Sequence, residues 1–239
     1  MIQGLFIFWI LIFPGVFPFS GINTGFVEES VVAHESFDYF MNSESFKELD
    51  PASQRSLRYF GQPLFKYSGK YRLDWRLSLA IMKKESRFNP HAESHKGAYG
   101  LMQIIPTTQE ELTQKLGIEN ATDPYNNIKA GVFYFSTLMH RYGSLPKDDQ
   151  IRFSLAAYNA GSGRVSDAQK VAEYLGLDKN NWEDVRHSME LLRKRYDPLH
   201  IRVWDEGKPG SGYFREWPQT VKYVDDVMMY YSEYQEATR

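Results

Sequence analysis

The stretch DWRLSLAIMKKESRFNP, residues 74–90, decides the fold class of this chain. Asp74 is a helix-capping residue type, and Leu77, Ile81 and Phe88 recur behind it at helical spacing, so the pattern predicts an amphipathic helix through Glu85. Glu85 falls beside that apolar stripe, with Ile81 four residues before it, Met82 three before and Phe88 three after. At the edge of a buried face the apolar surroundings disfavour the charged form of a carboxyl. Its pKa therefore rises from about 4.3 toward the range where it can donate a proton near neutrality. The local alternative is that Glu85 pairs with Lys84, Arg87 or a distant cation and only stabilises the helix.

Outward from this stretch the punctuation stays helical. Thr107 with Glu110 makes a capping box for a helix ending near Gly117, and Asp123-Pro124 opens another that runs to Tyr142-Gly143. Further helices are expected at about 149–159, 164–175 (stopped by Gly176) and 182–195, and a last one begins near Pro218 with Val221, Val224, Met228 and Tyr231 in helical register. Residues 197–217, rich in glycine and proline, read as a long ordered loop carrying Trp204, Tyr213, Phe214 and Trp217, which either border a groove or pack. No repeat or strong strand pattern interrupts this, so the fold class is mainly α. Residues 22–60 read as a linker with short helices around 37–46 and 51–60, leaving 61–239 as the main domain.

Composition narrows the function. The chain has 239 residues, 42% hydrophobic and 24% charged, enough for one full core. Its 28 basic and 30 acidic side chains leave a net charge of −2, which argues against a nucleic-acid partner or a polybasic membrane patch. With no cysteine, disulfides, thiolate metal sites and thiol nucleophiles are excluded, and the six histidines contain no HExxH, so no metal site is expected. Residues 1–27 carry no charged side chain, and 5–13 (LFIFWILIF) form an unbroken apolar run followed by Pro14 and Pro18. This run is shorter than the ~20 residues of a membrane span. It fits an export signal over 1–21, with retention as an N-terminal membrane anchor as the alternative.

Two more segments bear on chemistry. GAYGLMQIIPT over 97–107 places glycines on either side of Ala-Tyr, then one amide, Gln103, inside an apolar run. Glycines let backbone approach a ligand closely, and Gln103 needs hydrogen-bond partners that either a sugar or the backbone can supply. AAYNAG over 156–161 ends a helix with the aromatic–amide pair Tyr158-Asn159. A ring face can pack on a sugar while an amide fixes an acetamido group or orients an acid; the alternative is an ordinary glycine cap.

Taken together, Glu85-Ser86, the 97–107 stretch, DPYNNIKAG over 123–131 and AAYNAG resemble, in order and spacing, the soluble-type lytic transglycosylases of bacterial cell walls, with a goose-lysozyme-like fold. Residues 167–182 and the C-terminal GYFREWPQTVKYVDDVMMYY look most like the catalytic domain of the membrane-bound transglycosylase F branch. The resemblance implies an enzyme that cleaves the β-1,4 bond between N-acetylmuramic acid and N-acetylglucosamine in peptidoglycan. One glutamate, here Glu85, would protonate the glycosidic oxygen and then, as carboxylate, take the proton of the muramoyl 6-hydroxyl, leaving a 1,6-anhydro end. It also implies no metal or organic cofactor, glycan strands as partner and a place in the cell envelope or periplasm. Carried over by position, Ser86 and Tyr158 orient Glu85 or the sugar, Met102 and Gln103 line the cleft, and Asn159 and Tyr223 contact substrate or acid. The family's Glu-x-x-x-Tyr-Val pattern is broken by Gln219, which implies altered preference rather than lost chemistry. The competing readings are a muramidase in which Glu85 activates water, and a glycan-binding protein without turnover.

Overall fold

Asp74 caps its helix as expected, accepting the backbone N–H of Arg76 at 3.0 Å. Its carboxylate also pairs with the Arg76 guanidinium at 2.7 Å and accepts the Tyr231 hydroxyl at 2.9 Å, which ties the cap to the last helix of the chain. These contacts belong to a computed structural model that describes residues 37–118, 120 and 122–239, so the export segment expected over 1–21 lies outside the described residues.

Ten α-helices in the described residues build the molecule: α1 (Glu44–Lys47), α2 (Pro51–Lys70), α3 (Trp75–Ser86), α4 (Pro106–Leu116), α5 (Pro124–Arg141), α6 (Lys147–Ala160), α7 (Ser162–Tyr174), α8 (Trp182–Ser188), α9 (Asp197–Val203) and α10 (Trp217–Ala237). A further helical stretch covers 37–41, and among the described residues there is no strand, only isolated bridges joining Tyr99 to Glu93 and to Ile104. The mainly α class expected from the sequence is what the chain adopts. Helix α10 lies along α3 and α6, α2 packs on α3 and α5, and α7 on α6 and α8. The core between them takes in Leu79, Ile81, Met82, Phe135, Phe153, Trp182 and Val224, all essentially sealed from solvent.

Several local expectations need correcting. Helix α2 does not stop at residue 60 but continues to Lys70 through Gly61 and Pro63. Gly61 is required there because a Cβ would lie 2.3 Å from the Phe37 ring, and both Leu57 and Leu64 bury into the core, so packing outweighs the two helix-breaking residue types. Phe88 is not the end of the α3 stripe: Arg87 and Phe88 take left-handed conformations (φ 51° and 67°), and the ring packs on the core from outside the helix. The helix expected over 182–195 ends at Ser188 and gives way to 3₁₀ turns at Glu190–Leu192 and Lys194–Tyr196. The carbonyls of Leu191 and Leu192, which a continuing helix would use internally, instead lie 2.7 Å from the His200 Nε2 and 3.0 Å from the Phe214 N–H.

The segment expected to be a loop at 197–217 starts with α9, and Asp197-Pro198 carries the same acid-proline helix signal as Asp123-Pro124. Asp167 on α7 pins the remainder by accepting the N–H groups of Gly210 and Ser211 at 3.2 and 2.7 Å. Its aromatics pack: Phe214 is buried with the Arg164 guanidinium over its ring, and Trp204 rests on the core under the Lys170 ammonium. Helix α4 begins at Pro106, so Thr107 lies inside it rather than ahead of it. The side chains of Thr107 and Glu110 lie outside the described residues.

Candidate active site

Glu85 sits in the last turn of α3, half-buried, where α10 crosses. Tyr223 of α10, itself almost fully buried, donates its hydroxyl to Glu85 Oε1 at 2.7 Å. Burial pushes the Glu85 carboxyl up to about 7, against the smaller downward pulls of the Tyr223 hydrogen bond and the Lys84 charge. Near neutral pH the group therefore exists as comparable amounts of acid and carboxylate, which suits one residue to give and then take a proton. With Oε1 occupied by Tyr223, Oε2 makes no hydrogen bond among the described residues and is the oxygen able to carry that proton.

Tyr223 and Tyr158 both remain phenols. Burial raises each well above its ordinary value, and the Glu85 charge beside them adds to the shift. Together they give the carboxyl an aromatic surround that does not compete for its proton: Tyr223 donates to it, while the Tyr158 hydroxyl donates to the Met102 carbonyl.

The 97–107 stretch reaches this site through its backbone. The Met102 peptide is held at both ends: its N–H donates to Asn127 Oδ1 at 2.8 Å, and its carbonyl accepts the Tyr158 hydroxyl at 2.6 Å. Asn127 also donates to the Tyr99 carbonyl at 3.0 Å, so one buried amide clamps both sides of the turn. Close packing explains the glycines. A Cβ on Gly100 (φ 82°) would lie 2.6 Å from the Asn127 side chain, and one on Gly131 would lie 2.5 Å from Met102 Cβ. Asn127 and Gly131 both fall in the DPYNNIKAG motif, so the structural purpose of that motif is to seat the turn, a role for Asn127 that the motif alone does not reveal.

Several expected roles move accordingly. Ser86 does not bond Glu85: its buried hydroxyl lies 3.1 Å from the Met82 carbonyl and 2.9 Å from that of Leu101, linking α3 to the turn. Met102 does not line an open cleft with its side chain, which is wholly buried under α5 at Gly131. Gln103, in a left-handed conformation (φ 47°), spends its amide N–H groups on the Ala92 and Gly100 carbonyls at 2.9 and 3.0 Å, which is the backbone-satisfied alternative. Tyr158 reaches the acid's neighbourhood but bonds Met102 rather than Glu85. Asn159 is exposed, and its Oδ1 accepts the Thr220 hydroxyl at 2.8 Å, three residues before Tyr223 on α10. Gln219 is exposed in the first turn of that helix. Glu85, Tyr158 and Tyr223 are thus brought together, while Ser86, Met102 and Gln103 support the turn beside them. The described residues hold no cluster of three or more potential metal ligands.

A protein named membrane-bound lytic murein transglycosylase F from Shewanella pealeana is 34% identical over 207 residues, covering 84% of this chain and 40% of its own length. One of the same name from Desulfosudis oleivorans is 32% identical over 214 residues, covering 89% of this chain and 43% of its own length. The chain therefore spans about two-fifths of these curated relatives. Among solved structures, the 70-kDa soluble lytic transglycosylase in complex with bulgecin A superposes with a TM-score of 0.53 at 22% identity, covering 87% of this chain and 30% of that one, a likeness of fold. The profile of the Transglycosylase SLT domain matches residues 62–181, half of the chain, from within α2 to the residue before α8, and on that match the chain belongs to this family.

Proposed function

We propose that this chain is a peptidoglycan lytic transglycosylase that cleaves the β-1,4 bond between N-acetylmuramic acid and N-acetylglucosamine and leaves 1,6-anhydromuramoyl ends. The observation that carries the reading is the half-buried Glu85 carboxyl, raised to about 7 and gripped through Oε1 by Tyr223. In the protonated form Glu85 gives its proton to the glycosidic oxygen as the bond to C1 breaks. The resulting carboxylate, stabilised by the Tyr223 hydroxyl, takes the proton of the muramoyl 6-hydroxyl as that oxygen bonds to C1. One proton enters and one returns, so a single carboxyl closes the cycle, unlike the two-carboxylate arrangement of most glycosidases. Asn159, exposed and bonded to Thr220 of α10, is the side chain offered to the sugar, while Gln103 and Met102 hold the turn beside the acid. The relatives' names place them in murein metabolism at a membrane, and we extend to this chain an envelope location with glycan strands as its partner. Among the described residues no helix is long and apolar enough to cross a membrane.

Mass spectrometry of digested sacculi tests the chemistry, because anhydro products are one water lighter than reducing-end products. Anhydro ends that disappear in Glu85→Gln are expected, with turnover down about 10²-fold or more. Reducing ends would indicate a muramidase in which Glu85 activates water, and binding without release would indicate a non-catalytic glycan-binding protein.

A further inference from the structure

Lys84, the residue before the proposed acid, makes its closest ionic contact with the same helix that supplies Tyr223. Its ammonium lies 2.6 Å from Asp226 Oδ2, and both side chains are largely withdrawn from solvent. Asp226 follows Tyr223 by three residues, so the two cross-helix bonds, Tyr223 to Glu85 and Asp226 to Lys84, stand one turn apart on α10 and join adjacent residues of α3. Asp226 also accepts from the exposed Lys222 at 2.7 and 2.9 Å. Among the described residues Lys84 forms no ion pair with Glu85.

That separation matters chemically. A lysine paired directly with Glu85 would favour the carboxylate and remove the proton the reaction starts with. The charged and titratable groups facing Glu85 are Lys84 on its own helix, Tyr223 on α10 and Tyr158 on α6, with Asp226 and Lys222 behind Lys84. Of these, Lys84 is the cation with a direct effect on Glu85, and Asp226 is what holds it. Burial alone would raise the Asp226 carboxyl, but the hydrogen bonds from Lys222 and Lys84 outweigh it and keep the group below the usual carboxylate range.

We propose that Asp226 is a positioning residue for the acid: by engaging the Lys84 ammonium one turn along from the Tyr223–Glu85 hydrogen bond, it keeps that cation from pairing with Glu85. This deepens the proposed function and rests on Glu85 being the proton donor. The test is Asp226→Asn in the full chain, read both as the pH dependence of kcat/KM on sacculi and as a substrate-free NMR titration of the Glu85 carboxyl carbon. Both midpoints are expected to fall by about one pH unit, giving about tenfold lower activity at pH 8 and none of that loss at pH 5. Asp226→Glu is expected to restore them, and adding Lys84→Met to Asp226→Asn to return them at least to the wild-type position. An unmoved midpoint, or a loss equal at every pH, would make Asp226 a plain helix brace and overturn the inference. Should Asp226→Asn fail to fold, Lys84→Met alone decides. A midpoint within about one unit of wild type is expected for a cation held by Asp226, whereas any larger rise would mean Lys84 pairs with Glu85 in the wild type and the inference fails. The titration needs no substrate, so sacculi that release no product beside the expected NMR shifts would refute the proposed function, and with it the part of Asp226 in catalysis, whereas product release with unmoved NMR midpoints would overturn this inference alone.

Discussion

Tyr223, 138 residues along the chain from Glu85, donates its hydroxyl to Glu85 Oε1 at 2.7 Å, and this bond is the sole hydrogen bond that the carboxyl makes among the described residues. It orients the group and, by stabilising the anion, partly offsets the rise that burial imposes. These two effects can be separated by experiment.

Tyr223→Phe keeps the ring in place and deletes the bond. The Glu85 pKa is then expected to climb above 7, moving the alkaline limb of the pH–rate profile upward, while the plateau rate drops about tenfold because the carboxyl loses its orientation. A limb that stays in place or moves down would contradict the hydrogen bond described.

Glu85→Gln is expected to stabilise the fold, and only at higher pH. The native carboxyl, at about 7 against 4.5 for the free group, binds its proton more tightly than the unfolded chain does. Its contribution to stability is therefore complete below pH 4.5 and is lost as pH rises through 7. A neutral amide escapes that loss, so the variant should exceed wild type by about 1–3 kcal/mol at pH 8, with the difference vanishing near pH 4. Thermal melts across this range check both magnitude and sign.

Asn127→Ala strands the Met102 N–H and the Tyr99 carbonyl in a buried turn. The expected loss is about 2–4 kcal/mol in urea denaturation, with kcat/KM lowered through displacement of the turn but the alkaline limb unmoved, since Glu85 itself is untouched. A full-strength fold in this variant would show that the clamp is not what holds the turn.

Gln219→Glu restores the carboxylate usual in the family pattern at an exposed first-turn position of α10, where a helix N-terminus favours a negative charge by about 0.3–1 kcal/mol. The expected outcome is a changed distribution of product chain lengths with the anhydro chemistry and its pH profile intact, measured by chromatography of digested sacculi. Loss of anhydro products would assign this position a part in the chemistry itself.

The helical class, the Asp74 and Asp123 caps, the glycine stops at Gly117 and Gly176, and the placing of Glu85 beside an apolar stripe were all legible in the sequence, because each depends on residues within one or two turns of each other. What Ser86, Met102, Gln103 and Tyr158 do was not. Family position pointed to the right neighbourhood, but whether the Ser86 and Tyr158 hydroxyls meet a carboxyl or a carbonyl depends on backbone brought in from 15 and 56 residues away. The same limit hid Asn127, whose motif was visible but whose target was not, and Asp226, which reads as an ordinary helix charge until α10 is laid across α3.

Alone, the sequence determined that the chain is a helical bundle carrying one carboxyl at the margin of its core, since periodicity and capping act over short spans of backbone. Tertiary structure alone decided that this carboxyl would be shielded enough to keep its proton near neutrality, held by Tyr223 and kept apart from Lys84, because desolvation and charge pairing depend on which distant helices come to rest against it.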